Sequence, residues 1–219
     1  MSRWPRAIAP AGTEPCPRRI RARLDGRIVI DTTAARYVWD HAKYPRYAFA
    51  AADVPPGLAG ATDEAGLVSV AWDAVDAWFE EDEQVYVHPR NPYARVDALR
   101  SSRTVRVERD GVLLAESDHP VILFETGLPP RTYFDRSAVQ WPVLRPSDTR
   151  TQCPYKGVTS DYWSFLDLED DRLIPDVAWS YAFPTPACAP IAGLVAFFDE
   201  RVDVWVDGVA RERPRTEFR

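Results

Sequence analysis

Cys153, Lys156 and Gly157 lie within "RTQCPYKGVTSDYW", which runs from Arg150 to Trp163. A thiol, an ammonium and a glycine at this spacing suit several kinds of chemistry. A cysteine attacks through its thiolate, so a cation such as Lys156 would favour it by lowering a thiol pKa of about 8.5. Lys156 could equally act as an amine or proton carrier, or hold an anion where Gly157 lets a ligand approach the backbone. An inert buried thiol and a surface lysine in a tight turn fit the same residues. The P-loop pattern G-x-x-x-x-G-K-[ST] and the G-x-S-x-G elbow are both absent. None of His41, His88 and His119 is close in sequence to Cys153.

Aromatic residues surround this loop. Tyr155, Tyr162 and Trp163 belong to it, and "VAWSYAF" places Trp179, Tyr181 and Phe183 at alternate positions. On a strand those three share a face. "PPRTYF" adds Arg131 and Tyr133, and "LFET" adds Glu125. An apolar wall with a few directional polar groups describes a small-molecule pocket, with Lys156 and Arg131 for charge. Aromatics at period two also describe an ordinary β core, the reading favoured for Trp163 and Phe183.

The elements that must carry these residues show an internal repeat. "RLDGRIVIDT" (Arg23–Thr32) matches "ERDGVLLAES" (Glu108–Ser117) at an offset of 85, and "PRYAFAAADV" (Pro45–Val54) matches "PRTYFDRSAV" (Pro130–Val139) at the same offset. Arg46 and Asp40 are thus the counterparts of Arg131 and Glu125. Two later blocks, "VAW" at 70–72 against 177–179 and "RVDAL" at 95–99 against "RVDVW" at 201–205, align at offsets of 107 and 106. The expected organisation is a tandem duplication, residues 20–100 and 101–209. The second copy would carry 22 extra residues that include "CPYKG", and tails at 1–19 and 210–219 would be disordered. Asp-Gly between β-branched segments predicts a tight hairpin in each copy. Twenty prolines and many short strands predict an all-β chain with helical turns only near Ala50–Val54 and Asp135–Val139.

Bulk composition narrows function. A net charge of −6 argues against nucleic acid and anionic membranes as partners. The acidic runs "EEDE" (Glu80–Glu83) and "DLEDD" (Asp167–Asp171) read as solvated charge, without EF-hand spacing. Three scattered cysteines without a C-x-x-C predict no metal site and reduced thiols. The apolar pattern contains no secretion signal or membrane span, so a cytoplasmic location is expected.

"DGVLLAES", "VILFETGLPPRTYF", "TQCPYKG", "DYWSF", "VAWSYAFP" and "GLVAFFDERVDVWVDG" together resemble the domain-of-unknown-function family 427, over about residues 20–209. The resemblance implies no established activity; the family has carried a nucleotidyltransferase-like label, and no nucleotide-binding motif occurs here. It implies a β-tent-like fold, two small antiparallel sheets meeting at an angle, distantly similar to the drug-binding domain of cereblon. The paired zinc-binding C-x-x-C motifs of such domains are missing.

The function expected from these residues is binding of a small polar or anionic organic ligand in an aromatic-lined cleft of the second domain, with no cofactor. The alternatives are an enzyme of transferase or hydrolase type, with Cys153 as nucleophile or Lys156 as amine or proton carrier, and a protein-interaction module pairing through edge strands. The sequence does not set the ligand, an oligomeric state or a role for the first copy.

Overall fold

The computed structural model describes residues 12–63, 65–216 and 218. The chain divides into two compact units, Ala7–Ala94 and Arg95–Arg219. It is all-β, with several small antiparallel sheets and short 3-10 turns. No helix among the described residues is long and apolar enough to cross a membrane.

The first unit contains β1 (Gly12–Pro15), β2 (Ile20–Leu24), β3 (Arg27–Thr32), β4 (Arg36–Trp39), β5 (Arg46–Ala50), β6 (Leu67–Ser69), β7 (Ala77–Glu80) and β8 (Glu83–Val85). They form two four-stranded sheets, ordered β1-β4-β5-β6 and β3-β2-β7-β8. Ile20, Ala22, Ile30, Tyr37, Tyr47, Phe49 and Trp78 fill the core between them.

The second unit contains β9 (Val96–Arg100), β10 (Val105–Arg109), β11 (Val112–Ser117), β12 (Val121–Glu125), β13 (Arg131–Phe134), β14 (Leu144–Ser147), β15 (Gln152–Cys153), β16 (Gly157–Val158), β17 (Asp161–Asp167), β18 (Arg172–Ser180), β19 (Val195–Phe197), β20 (Asp203–Val206) and β21 (Val209–Arg211). A four-stranded sheet, β11-β10-β20-β21, lies against a seven-stranded one, β14-β17-β18-β19-β13-β12-β9. Their shared core is largely aliphatic, with Val105, Val107, Leu114, Val177, Val195 and Val204 around Phe134, Phe165 and Phe197. The other face of the large sheet carries Val121, Leu123, Tyr133, Tyr162, Trp179 and Ala196, covered by Cys188 and Ile191 of the 3-10 turn Pro186–Ile191.

Where the first two repeated blocks lie, the units share strand register. Asp25-Gly26 and Asp110-Gly111 both take positive φ, the conformation of a type I′ hairpin turn. Both hairpins bulge at the matching place, between Ala22 and Arg23 and between Val107 and Glu108. Tyr37 opposes Tyr47 as Ile122 opposes Thr132, again 85 residues on. The two expected helical turns are the 3-10 turns Ala51–Asp53 and Arg136–Ala138.

The two later blocks do not correspond. β9, which contains most of "RVDAL", pairs with β12 and belongs to the second unit, so the division falls at Ala94/Arg95 and not near Arg100–Arg103. In strand register, "GLV" at 193–195 occupies the place of "GLV" at 66–68, because Val68 pairs with Phe49 as Val195 pairs with Phe134. The offset there is 127, so between the matched strands the second unit is longer by about 42 residues, where 22 were expected. The added length supplies β14 to β18 and the turn Pro186–Ile191, an extension of the sheet with its own hairpin. Short sequence matches between unlike strands hid this, since β strands share one alternating vocabulary.

The expected tails also carry structure. β1 pairs with β4, and β21 pairs with β20. The Thr216 hydroxyl donates to Glu200 at 2.6 Å, and Phe218 packs on Phe198. Residues 1–11 of the N-terminal stretch lie outside the described residues.

Candidate functional site

The "CPYKG" segment is the tight hairpin β15–β16. Gly157 supplies a φ of +100, which side chains rarely adopt, and its missing Cβ faces the carbonyl of Phe183 at 3.5 Å. Its close approach is therefore to the chain's own backbone. The turn is pinned to the segment after β18: Thr185 N–H donates to the Lys156 carbonyl (3.1 Å), while the Thr185 hydroxyl (2.5 Å) and the Cys188 thiol (3.5 Å) donate to the Tyr155 carbonyl.

That anchoring turns Lys156 inward. Its Nζ meets Glu125 Oε2 at 2.5 Å, with both side chains largely buried. Burial alone would discharge the amine. Cys153, Glu125, Tyr133 and Tyr181, in that order, outweigh burial and hold the ammonium well above the usual lysine range. Tyr133 is fully buried on β13, and its hydroxyl has no hydrogen-bond partner. Burial raises its pKa; the Lys156 ammonium and the Trp179 indole pull the other way. That indole approaches edge-on, with ring centroids 6.3 Å apart, without satisfying the hydroxyl. Tyr181 is likewise pushed well up by burial and by Tyr133.

Glu125, Tyr133, Lys156, Trp179 and Tyr181 are thus brought together, with Cys153 half-buried beside them. Gly157 and Tyr155 serve as the scaffold of the hairpin. Tyr162 packs on the same face, its hydroxyl 2.8 Å from Thr151. Trp163 faces the opposite core. Phe183 departs from the expected core position: β18 ends at Ser180, and Phe183 is 91% exposed.

Arg131 is placed otherwise than expected. Its guanidinium forks onto Glu200 at 2.9 and 2.8 Å, lies 3.4 Å from Asp199 and stacks over Trp179. One cation serving two carboxylates leaves Asp199 undercompensated: burial pushes its pKa up to about 6 against the pull of Arg131. Arg131 is therefore an internal partner, and Trp179 separates it from the Lys156 group. Glu200 and Asp199 carried no motif; only folding sets them beside Arg131.

His41 and His88 sandwich Tyr44 in the first unit, and His119 is exposed beside Asp118. No group of three or more His, Cys, Asp or Glu among the described residues is placed to hold a metal ion. "EEDE" is not wholly solvated: Glu80 is 4% exposed, accepting from Arg18 (2.5 Å) and the Tyr47 hydroxyl (2.7 Å). The first unit therefore buries a polar cluster of its own.

No curated protein matches the chain. A family profile described as a domain of unknown function, DUF427, matches residues 97–208, from β9 to the turn after β20. The match covers just over half of the chain and lies within the second unit, which contains the Lys156–Glu125 pair; the wider resemblance expected over residues 20–209 is met only there. By that match, the chain belongs to the DUF427 family.

Proposed function

We propose that the second unit binds a small polar organic molecule at the face formed by Tyr133, Trp179, Tyr181 and the Lys156–Glu125 pair. The observation that carries this reading is the Tyr133 hydroxyl, wholly buried, unpartnered and beside a buried ion pair. Leaving such a group unpaired costs about 1–3 kcal/mol, which a ligand's hydrogen bond would offset. Perturbed titratable groups gathered on an aromatic face mark binding sites more often than structural cores.

The charge pattern sharpens the ligand class. Glu125 compensates Lys156, and Glu200 with Asp199 occupies Arg131, so neither of these two cations is left bare for an anion. The pair offers N–H donors and carboxylate acceptors side by side. A neutral or zwitterionic molecule with both a donor and an acceptor fits better than a simple anion. Half-buried Cys153 marks the side from which it would enter.

The unit gained this site by insertion into one half of a tandem duplication. The shared register of the hairpins supports the duplication, and the absence of a "CPYKG" hairpin from the first unit supports the insertion. The reading requires neither nucleic acid nor membrane as partner, and it suits a cytoplasmic protein with reduced thiols and a β-tent-like architecture.

A second reading, catalysis through Cys153, draws support from the Lys156 ammonium beside the thiol. The amine role for Lys156 is disfavoured, since a nucleophilic lysine needs a lowered pKa and this one is raised. Iodoacetamide labelling across pH separates the readings: fast alkylation of Cys153 well below pH 8 supports catalysis.

A thermal-shift screen of polar metabolites against wild type and Tyr133→Phe tests the binding site. Tyr133→Phe should be as stable as wild type, or more stable by up to about 1 kcal/mol, yet lose the hits. Hits that persist in the variant would move the site elsewhere.

A further inference from the structure

The first unit holds polar and aromatic groups that the second-unit site does not use. β1 pairs with β4 so that Glu14 lies opposite Tyr37, with Trp39 two residues along. Glu14 Oε1 accepts from the Trp39 indole N–H at 2.9 Å, and Oε2 accepts from the Tyr93 hydroxyl at 2.8 Å. Both donors are neutral, and no Lys, Arg or His among the described residues forms an ion pair with this carboxylate. The Trp39 and Tyr93 rings are 5.9 Å apart and tilted at 41°, with Tyr93 49% exposed. They frame the carboxylate as an open wedge.

Tyr37 packs 6.4 Å from Trp39 and is 1% exposed, and its hydroxyl, without a hydrogen-bond partner, faces the Cys16 thiol and the Arg18–Glu80 pair. The Arg18–Glu80 pair lies deeper, and its two charges compensate each other. The local balance is one negative charge among aromatic faces.

We propose that this wedge is a second binding site, for an organic cation of the alkyl- or trimethylammonium class. The cation would rest on the ring faces of Trp39 and Tyr93 over the Glu14 carboxylate, combining cation–π attraction with charge pairing. A carboxylate clasped by two aromatic donors could instead be a structural lock that holds Tyr93 in place. The two differ in what they predict for ligands.

The test is a tryptophan-fluorescence titration of the full chain with tetramethylammonium, choline and the neutral choline isostere 3,3-dimethylbutan-1-ol. Both cations should bind saturably and the isostere should not. Glu14→Gln keeps an acceptor for Trp39 and Tyr93 while removing the charge, and should weaken both cations at least about tenfold. Tyr93→Leu, at an exposed position, should weaken them as well and guards against a folding defect in Glu14→Gln. A folded protein that shows no saturable response to either cation, equal binding of the isostere, or cation affinity unchanged in Glu14→Gln would each overturn the site. None of these outcomes depends on the second-unit reading.

Discussion

The hairpin β4–β5 of the first unit and the hairpin β12–β13 of the second have the same register and carry an acid and an arginine at matching positions. In the first, Asp40 and Arg46 pair with each other on the surface. In the second, the equivalent Glu125 and Arg131 have parted. Glu125 takes Lys156 from the inserted hairpin, and Arg131 takes Glu200. Where that face of the sheet is covered, both charges are out of water and each has its own partner. An exposed pair of this kind is worth little, whereas a buried one is dangerous to break. The same two residue types thus form an exposed pair in one hairpin and serve as internal constraints in the other.

Breaking the pairs should expose that difference most strongly. Lys156→Met leaves Glu125 buried and unpaired and should cost about 3–5 kcal/mol in urea unfolding at pH 7. Adding Glu125→Leu should recover most of the loss, because two apolar groups leave no orphaned charge. Arg131→Met should cost a similar amount, while Arg46→Met should stay within about 1 kcal/mol. Equal effects for Arg46 and Arg131 would collapse the comparison.

Gly157→Ala tests the inserted hairpin itself. The left-handed φ of +100 should cost about 1–3 kcal/mol, with the new Cβ only in ordinary contact with the Phe183 carbonyl. A cost near zero would mean that the turn relaxes and that Lys156 is less firmly placed.

Acidification should act on the two units with opposite sign. In the first, burial lowers the His88 pKa, so its contribution to stability is present above about pH 6.5 and is lost as pH falls through the depressed native value. In the second, Asp199 is raised to about 6, so its contribution is complete below about pH 3.9 and is lost as pH rises through 6. Stability profiles from pH 5 to 8 for His88→Gln and Asp199→Asn should therefore diverge from wild type in opposite directions. The smallest effect is expected at Phe183: replacing this exposed ring by serine should change stability by less than about 0.5 kcal/mol.

The local rules of the chain are what its sequence determined. Asp-Gly turns, alternating apolar strands and paired acid and arginine positions follow from neighbours a few residues apart, and the structure carries them in register. Even the grouping of Tyr133, Trp179, Tyr181 and Lys156 was foreshadowed, because aromatics at period two beside an unrepeated loop point to one face. Only the tertiary structure decided which charges neutralise one another, since Glu125 is 31 residues from Lys156 and Glu200 is 69 from Arg131. It also decided which strands are true counterparts, because short β segments of like composition align in several ways and hydrogen-bond register picks one. Burial did the rest: it moved Glu80 from an acidic run into a core and left Tyr37 and Tyr133 with hydroxyls that nothing in the described chain satisfies.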